Sequence, residues 1–260
     1  MRVVKWLAVL GVVGAAAACT PASSLPTGVP GRERPARIVL YGDSLADQAA
    51  PFFRALITAH GKATLQVKTT PGTAICDYLS DMARTVGRFR PDAVVVEFSG
   101  NNLTRCTHDK KAGQALVGDA LVALYRADAE KATTTLSRYG ATVYWIGAPS
   151  DGTPSQSDSA ARIKAIYQEL PSRFDRVRFV DAGQAVLDHG QYTDYLPCLP
   201  NEPCSGPVIG GVRMNKVRAP DGVHFCPVPI TGAARCPVWS SGAFRFGAAM
   251  AAPVIAEFGL

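Results

Sequence analysis

The chain has 260 residues, enough for one large domain or two small ones, with 47% hydrophobic and 18% charged residues. That balance is one of a soluble globular protein with a sizeable core. Its formal charge of +6 falls to +4 if Arg2 and Lys5 leave with a leader, and no basic run is interleaved with aromatics, which disfavours nucleic acid as a partner.

Residues 1–18 read as an export leader: Arg2 and Lys5 give a positive start, and the thirteen residues from Trp6 to Ala18 are apolar, ending in small side chains. That run is too short to span a bilayer. Residues 16–19, Ala-Ala-Ala-Cys, resemble a bacterial lipoprotein cleavage box, with Ala16 where leucine is usual. Cys19 is therefore a candidate lipidation site and membrane attachment point. Ordinary secretory cleavage within the alanine run is the alternative. Residues 19–35, rich in proline, serine and glycine, read as a flexible tether to a single domain over 36–260.

From there strand and helix signals alternate. The apolar run 38–41 predicts a first strand, followed by helical spacing at Leu45, Ala49, Phe52, Phe53 and Leu56 that stops at Gly61. Further strands are expected at 65–67, 93–98, 143–146 and 177–180. Helical spacing recurs at Leu79, Met82, Val86 and Phe89, then from Leu116 to Leu136, and from Ala160 to Leu170. Strands apolar on both faces and alternating with helices imply a parallel sheet covered on each side, an α/β fold. Reactive groups in such folds collect at the carboxyl ends of strands. Residues 182–240 carry many prolines and glycines and little periodicity, and read as a long functional or cross-linked loop region. A last helix is expected over 242–258, broken or kinked at Pro253.

Ser44 follows the first strand directly, on a tight turn into a helix whose N–H groups favour developing negative charge. Asp221-Gly222-Val223-His224 supplies a histidine with a carboxylate three residues earlier. Serine, base and orienting acid are the parts of an activated nucleophile. Singly, each has an ordinary reading, Ser44 as a helix cap and Asp221-Gly222 as a turn. Gly72 follows the second strand and Asn101 the third, so both belong on the same rim as Ser44.

Four segments, in this order, resemble the conserved blocks of the SGNH (GDSL-type) hydrolases. They are Gly42-Asp43-Ser44-Leu45, Gly72 within Pro71-Gly72-Thr73, the run 94–102 ending Ser99-Gly100-Asn101-Asn102, and Asp221-Gly222-Val223-His224. Ser99 and Asn102 depart from the third block, where glycine and aspartate are usual. The resemblance implies a three-layer α/β/α sandwich with a five-stranded parallel sheet in the flavodoxin-like order 2-1-3-4-5. It implies catalytic Ser44, Asp221 and His224, with an oxyanion hole from the Ser44 N–H, the Gly72 N–H and the Asn101 side-chain amide. It further implies hydrolysis of an acyl ester through an acyl-serine intermediate, with no metal or organic cofactor, by a chain expected to be a monomer. The substrate class spans acylated glycans, lipids and small esters. An O-acyltransferase would use the same residues with a sugar or lipid hydroxyl as acceptor, and a binding protein would keep the cleft without the chemistry.

Apart from Cys19 there are six cysteines, Cys76, Cys106, Cys198, Cys204, Cys226 and Cys236, an even number that suits disulfides in an exported chain. Zinc is the competing reading, disfavoured because no pair has Cys-x-x-Cys spacing. With the second- and third-block loops placed beside Ser44 by the resemblance, Cys76 is expected to pair with Cys106. Proximity then pairs Cys198 with Cys204 and Cys226 with Cys236.

Overall fold

The computed structural model describes residues 34–152, 154–225 and 240–260, with no side-chain detail at 154–157. The expected leader, Cys19, most of the expected tether, Cys226 and Cys236 lie outside the described residues, and with them the expected Cys226–Cys236 pairing.

Each expected strand forms: β1 (Ala36–Gly42), β2 (Ala63–Thr69), β3 (Ala93–Glu97), β4 (Thr142–Ile146) and β5 (Val177–Val180). They build one parallel sheet in the order β2-β1-β3-β4-β5. Every residue of β3 and β4 is buried, because helices cover both faces. Side chains alternate across the sheet. Ile38, Leu40, Ala93, Val95 and Tyr144 face α1 (Ser44–Thr58) and α5 (Gly242–Phe258). Val39, Tyr41, Val94, Val96 and Trp145 face α2 (Ile75–Arg88), α3 (Gly118–Leu136) and α4 (Pro154–Glu169). The result is the α/β/α sandwich.

Register fixes the working rim. Gly42 at the end of β1 pairs with Thr69 of β2 on one side and Glu97 of β3 on the other. The three strands therefore end level, and the segments after them, carrying Ser44, Gly72 and Asn101, open on one edge.

Two features differ from the expected elements. The break at Pro253 does not occur, since α5 is continuous from Gly242 to Phe258. A proline removes one hydrogen bond of the ladder. Here Val254 packs in the core and Glu257 accepts hydrogen bonds from Thr142 Oγ1 (2.8 Å) and the Tyr144 hydroxyl (2.6 Å), which holds the last turn against β4. The loop-rich segment also contains a small antiparallel sheet, β6 (Tyr195–Pro197), β8 (Val212–Lys216) and β7 (Val208–Ile209), in that spatial order. Strand β8 leads directly into the Asp221–His224 loop.

Candidate active site

The site begins with the change from strand to helix at residue 43. Asp43 is the N-cap of α1, and its Oδ1 accepts the Leu45 N–H at 3.0 Å. Ser44 is thereby the first residue of the helix, 8% exposed, with its hydroxyl at the rim. The approach of strand and helix is close. A Cβ on Gly42 would lie 2.3 Å from the Ala46 Cβ and 2.7 Å from the Glu97 carbonyl oxygen, so only glycine fits there.

Across the rim, the loop after β8 brings in His224, the candidate base. His224 Nε2 lies 2.8 Å from Ser44 Oγ, and His224 Nδ1 lies 2.7 Å from Asp221 Oδ2. The other Asp221 oxygen accepts the N–H groups of Val223 and His224, each at 2.9 Å. Partial burial pushes the Asp221 carboxyl up, but hydrogen bonds from the His224 ring and these two N–H groups outweigh it and hold the group below its ordinary value. Asp221 is thus ionised wherever the imidazole needs an anionic partner. The Phe225 N–H donates to Gln48 Oε1 at 2.7 Å, fastening the base loop to α1.

Asp43 also organises the third-block segment. Its Oδ2 accepts the Ser99 N–H and hydroxyl, both at 2.7 Å, and the Asn101 side-chain amide at 2.9 Å. That amide also donates to the Thr73 carbonyl oxygen at 3.2 Å, which joins the Gly72 loop to the Asn101 loop. The two departures from the usual third block therefore have defined partners. Ser99 adds a hydroxyl donor to Asp43, and Asn102 donates to the Leu116 carbonyl at 2.9 Å. Gly72 has φ +77°, a left-handed conformation that glycine adopts without strain.

Disulfides Cys76–Cys106 and Cys198–Cys204 are present, as expected. The first joins the start of α2 to the turn after Asn101, beside both loops. Cys76, Asp77 and Cys106 have the mutual spacing of a metal site, but the disulfide removes both thiolates as ligands.

Two residues of the site carry no motif signal. Glu97, the last residue of β3, is fully buried beneath the turn that carries Ser44, its Oε2 accepting the Ala46 N–H at 3.2 Å. Burial, then the nearby Asp43 carboxyl, pushes its carboxyl well above the ordinary value. A lone charge in the apolar run Val94-Val95-Val96-Glu97-Phe98 is the trace it leaves in the sequence. The second is Arg218, three residues before Asp221 and fully buried.

A cavity of about 420 Å³, lined in part by Leu45, Asn101 and Val223, lies beside Ser44 and His224. Aliphatic side chains such as Val117 and Leu121 line it together with polar ones such as Asn102 and Asp151.

Similarity to solved structures follows the fold. A lipase/acylhydrolase from Enterococcus faecalis aligns over 85% of this chain and 96% of its own, at 17% identity and a TM-score of 0.56. The peptidoglycan O-acetyltransferase A C-terminal catalytic domain from Streptococcus pneumoniae aligns over 87% and 96%, at 15% identity and a TM-score of 0.53. An acetylxylan esterase from Geobacillus stearothermophilus aligns over 87% and 95%, at 14% identity and a TM-score of 0.51. At these identities the likeness is one of fold, that of the SGNH (GDSL-type) hydrolases. No curated protein matches the sequence. The residues of the rim from Gly42 to His224 all lie within 37–229, the span that matches the family described as "Protein of unknown function (DUF459)", and the chain belongs to that family.

Proposed function

We propose that the chain is a serine esterase that cleaves an acyl ester through a covalent acyl-serine intermediate. The observation that carries this reading is the unbroken line of contacts Ser44–His224–Asp221, at 2.8 and 2.7 Å, on the strand-end rim. In the first step Ser44 Oγ attacks the ester carbonyl carbon while His224 Nε2 takes its proton. The imidazolium is held by Asp221 and returns the proton to the departing alcohol. In the second step water attacks the acyl carbon while His224 takes one of its protons, and the imidazolium returns that proton to Ser44 Oγ as the acyl bond breaks, releasing a carboxylic acid and restoring both groups.

Charge on the tetrahedral oxygen would be met by the N–H groups of Ser44 and Gly72 and by the Asn101 amide. Both amide hydrogens of Asn101 are engaged, one by Asp43 and one by Thr73. The Thr73 contact is the longer, and the incoming oxygen would take over that hydrogen while Asp43 keeps the amide aimed. Such donors tighten only as the transition state forms. Every role in this scheme is filled by the chain's own side chains and backbone.

The substrate we infer is an acylated glycan, lipid or glycolipid of the cell envelope, acted on by a monomer. The cavity supports a substrate larger than a simple ester, since it lies within the size range of ligand pockets. Two disulfides support an oxidising compartment, consistent with the leader. No helix among the described residues is long and apolar enough to cross a membrane. Attachment would then rest on a lipidated Cys19, and Cys19→Ser should move the protein from the membrane fraction to the soluble one.

Turnover of activated acyl esters of graded chain length by wild type and Ser44→Ala tests the reaction. Loss of turnover in the variant is expected, and wild-type turnover would remove the mechanism. Adding a sugar acceptor distinguishes hydrolysis from O-acyl transfer, because an acylated sugar appears only if its hydroxyl outcompetes water.

A further inference from the structure

Arg218 is a large, fully buried cation that no step of the proposed reaction uses. Burying a guanidinium is costly unless something holds it. Burial lowers its pKa to about 10, a drop that the surrounding Tyr192, Asp151, Asp221 and Asp194 oppose. Its Nη1 donates to the Val223 carbonyl at 3.0 Å, and its Nη2 donates to the Ser150 carbonyl. The group lies over the rings of Tyr192 (5.7 Å) and Phe225 (5.5 Å). Nε has no hydrogen-bond partner among the described residues.

Both accepting carbonyls sit at informative places. Val223 is the residue immediately before His224, and Ser150 lies in the loop between β4 and α4, which also lines the cavity through Asp151. A second backbone bond reinforces this seam, from the Gly152 N–H to the Gly222 carbonyl at 3.1 Å. Phe225, on the other side of His224, is held by Gln48 of α1. The loop is thus pinned before and after the histidine, and the pin nearest before it is the Arg218 side chain on the Val223 carbonyl.

We propose that Arg218 is a positioning residue: it clamps the base loop to the β4–α4 loop so that His224 Nε2 stays within reach of Ser44 Oγ. This rests on the esterase reading above. A guanidinium suits the task because its planar fork reaches two carbonyls at once while its faces stack on aromatic rings. An ammonium offers neither the fork nor the stacking face. Among the described residues, the carboxylates of Asp221, of Asp151 in the β4–α4 loop and of Asp194 before β6 act on the guanidinium, so the clamp is held by charge as well as by its two hydrogen bonds.

The test compares wild type, Arg218→Lys, Arg218→Gln and Ser44→Ala on one activated ester, recording kcat and KM. Arg218→Gln should lower kcat by about a hundredfold, the order seen when a reacting group is displaced by an ångström, with KM within about twofold. Arg218→Lys keeps the charge without the fork and should lose about tenfold in kcat. A folded Arg218→Gln with wild-type kcat, or with a loss confined to KM, overturns the proposal. If that variant does not fold, wild-type kcat in Arg218→Lys overturns it. Turnover surviving in Ser44→Ala would instead remove the esterase reading on which the proposal rests.

Discussion

Ser44 and His224 are 180 residues apart in the chain, yet Ser44 Oγ and His224 Nε2 lie 2.8 Å from one another. One is set by the helix that starts after β1 and the other by a loop at the opposite end of the domain. Nothing in local folding requires them to meet. Removing either partner should therefore abolish catalysis while leaving the fold. Ser44→Ala and His224→Ala are each expected to reduce kcat for an activated ester by about 10⁴-fold or more. Covalent labelling by a fluorophosphonate should fail in both. Equal labelling of wild type and Ser44→Ala would place the nucleophile elsewhere.

Asp221 should matter through the imidazole it holds. Asp221→Asn keeps the shape but presents a donor to Nδ1, favouring the wrong tautomer, and kcat should fall by about 10³ to 10⁴-fold. The carboxyl is held below its ordinary value, chiefly against burial, by the His224 ring and two N–H groups. The sign of the linkage follows: its contribution to stability is present above the unfolded carboxylate value and is lost as pH falls through the lower, folded value. Wild type should thus lose more stability than Asp221→Asn over that acidic window. Parallel pH dependence of Tm in the two proteins would contradict it.

Glu97 should behave in the opposite sense. Burial and Asp43 raise its carboxyl, so the folded state keeps a proton that the unfolded chain releases. Stability associated with that proton is complete below the unfolded carboxylate value and is lost as pH rises through the folded one. Glu97→Gln, neutral at every pH and able to accept from Ala46, should keep activity and become more stable than wild type as pH rises through this range. Glu97→Ala should lose both stability and turnover, because it leaves a void and an unmet Ala46 N–H under the nucleophile. Identical Tm curves for wild type and Glu97→Gln would show that the group is not protonated.

Much of this architecture could be read from the residues. The five strands are continuous apolar runs because both faces of the sheet are covered, and burial of that kind leaves a plain signature. The pairing of Ser44 with His224 was legible because an activated nucleophile demands particular residue types, and the structure brings the two side chains to 2.8 Å. Three things were not legible. Strands β6, β7 and β8 have two to five residues, many of them exposed, so no period could develop. The continuity of α5 through Pro253 depends on Glu257 meeting β4, a contact 113 residues distant in sequence. Glu97 and Arg218 act through burial, of which the sequence carries only one trace, the single charge of Glu97 in an apolar run.

Asn101 tests the electrostatics of the rim. Its amide is aimed by Asp43 at 2.9 Å and shares its second hydrogen with Thr73. If that hydrogen passes to the oxyanion, Asn101→Ala should lower kcat by about 10² to 10³-fold and change KM little. A rise confined to KM would make Asn101 a residue that binds the ground state.

The Cys76–Cys106 bridge links the two loops that carry Gly72 and Asn101. It closes a loop of 30 residues, for which chain entropy gives about 3.5 kcal/mol. Cys198–Cys204 closes only six residues, worth about 2 kcal/mol by the same reasoning. Stability alone would rank the bridges, but their positions assign them different work. Thr73 and Asn101 are joined by one hydrogen bond of 3.2 Å, and the first disulfide is the covalent tie beside it. Replacing Cys76 and Cys106 together by serine should lower kcat by about ten- to a hundredfold at temperatures where the protein remains folded, because the donors lose their fixed separation. Replacing Cys198 and Cys204 together should lower Tm and leave kcat near wild type. Peptide mapping without reductant verifies the pairing beforehand. Should the two double variants lose Tm alone, with kcat unchanged in both, the first bridge is a staple of the fold and takes no part in holding the oxyanion donors.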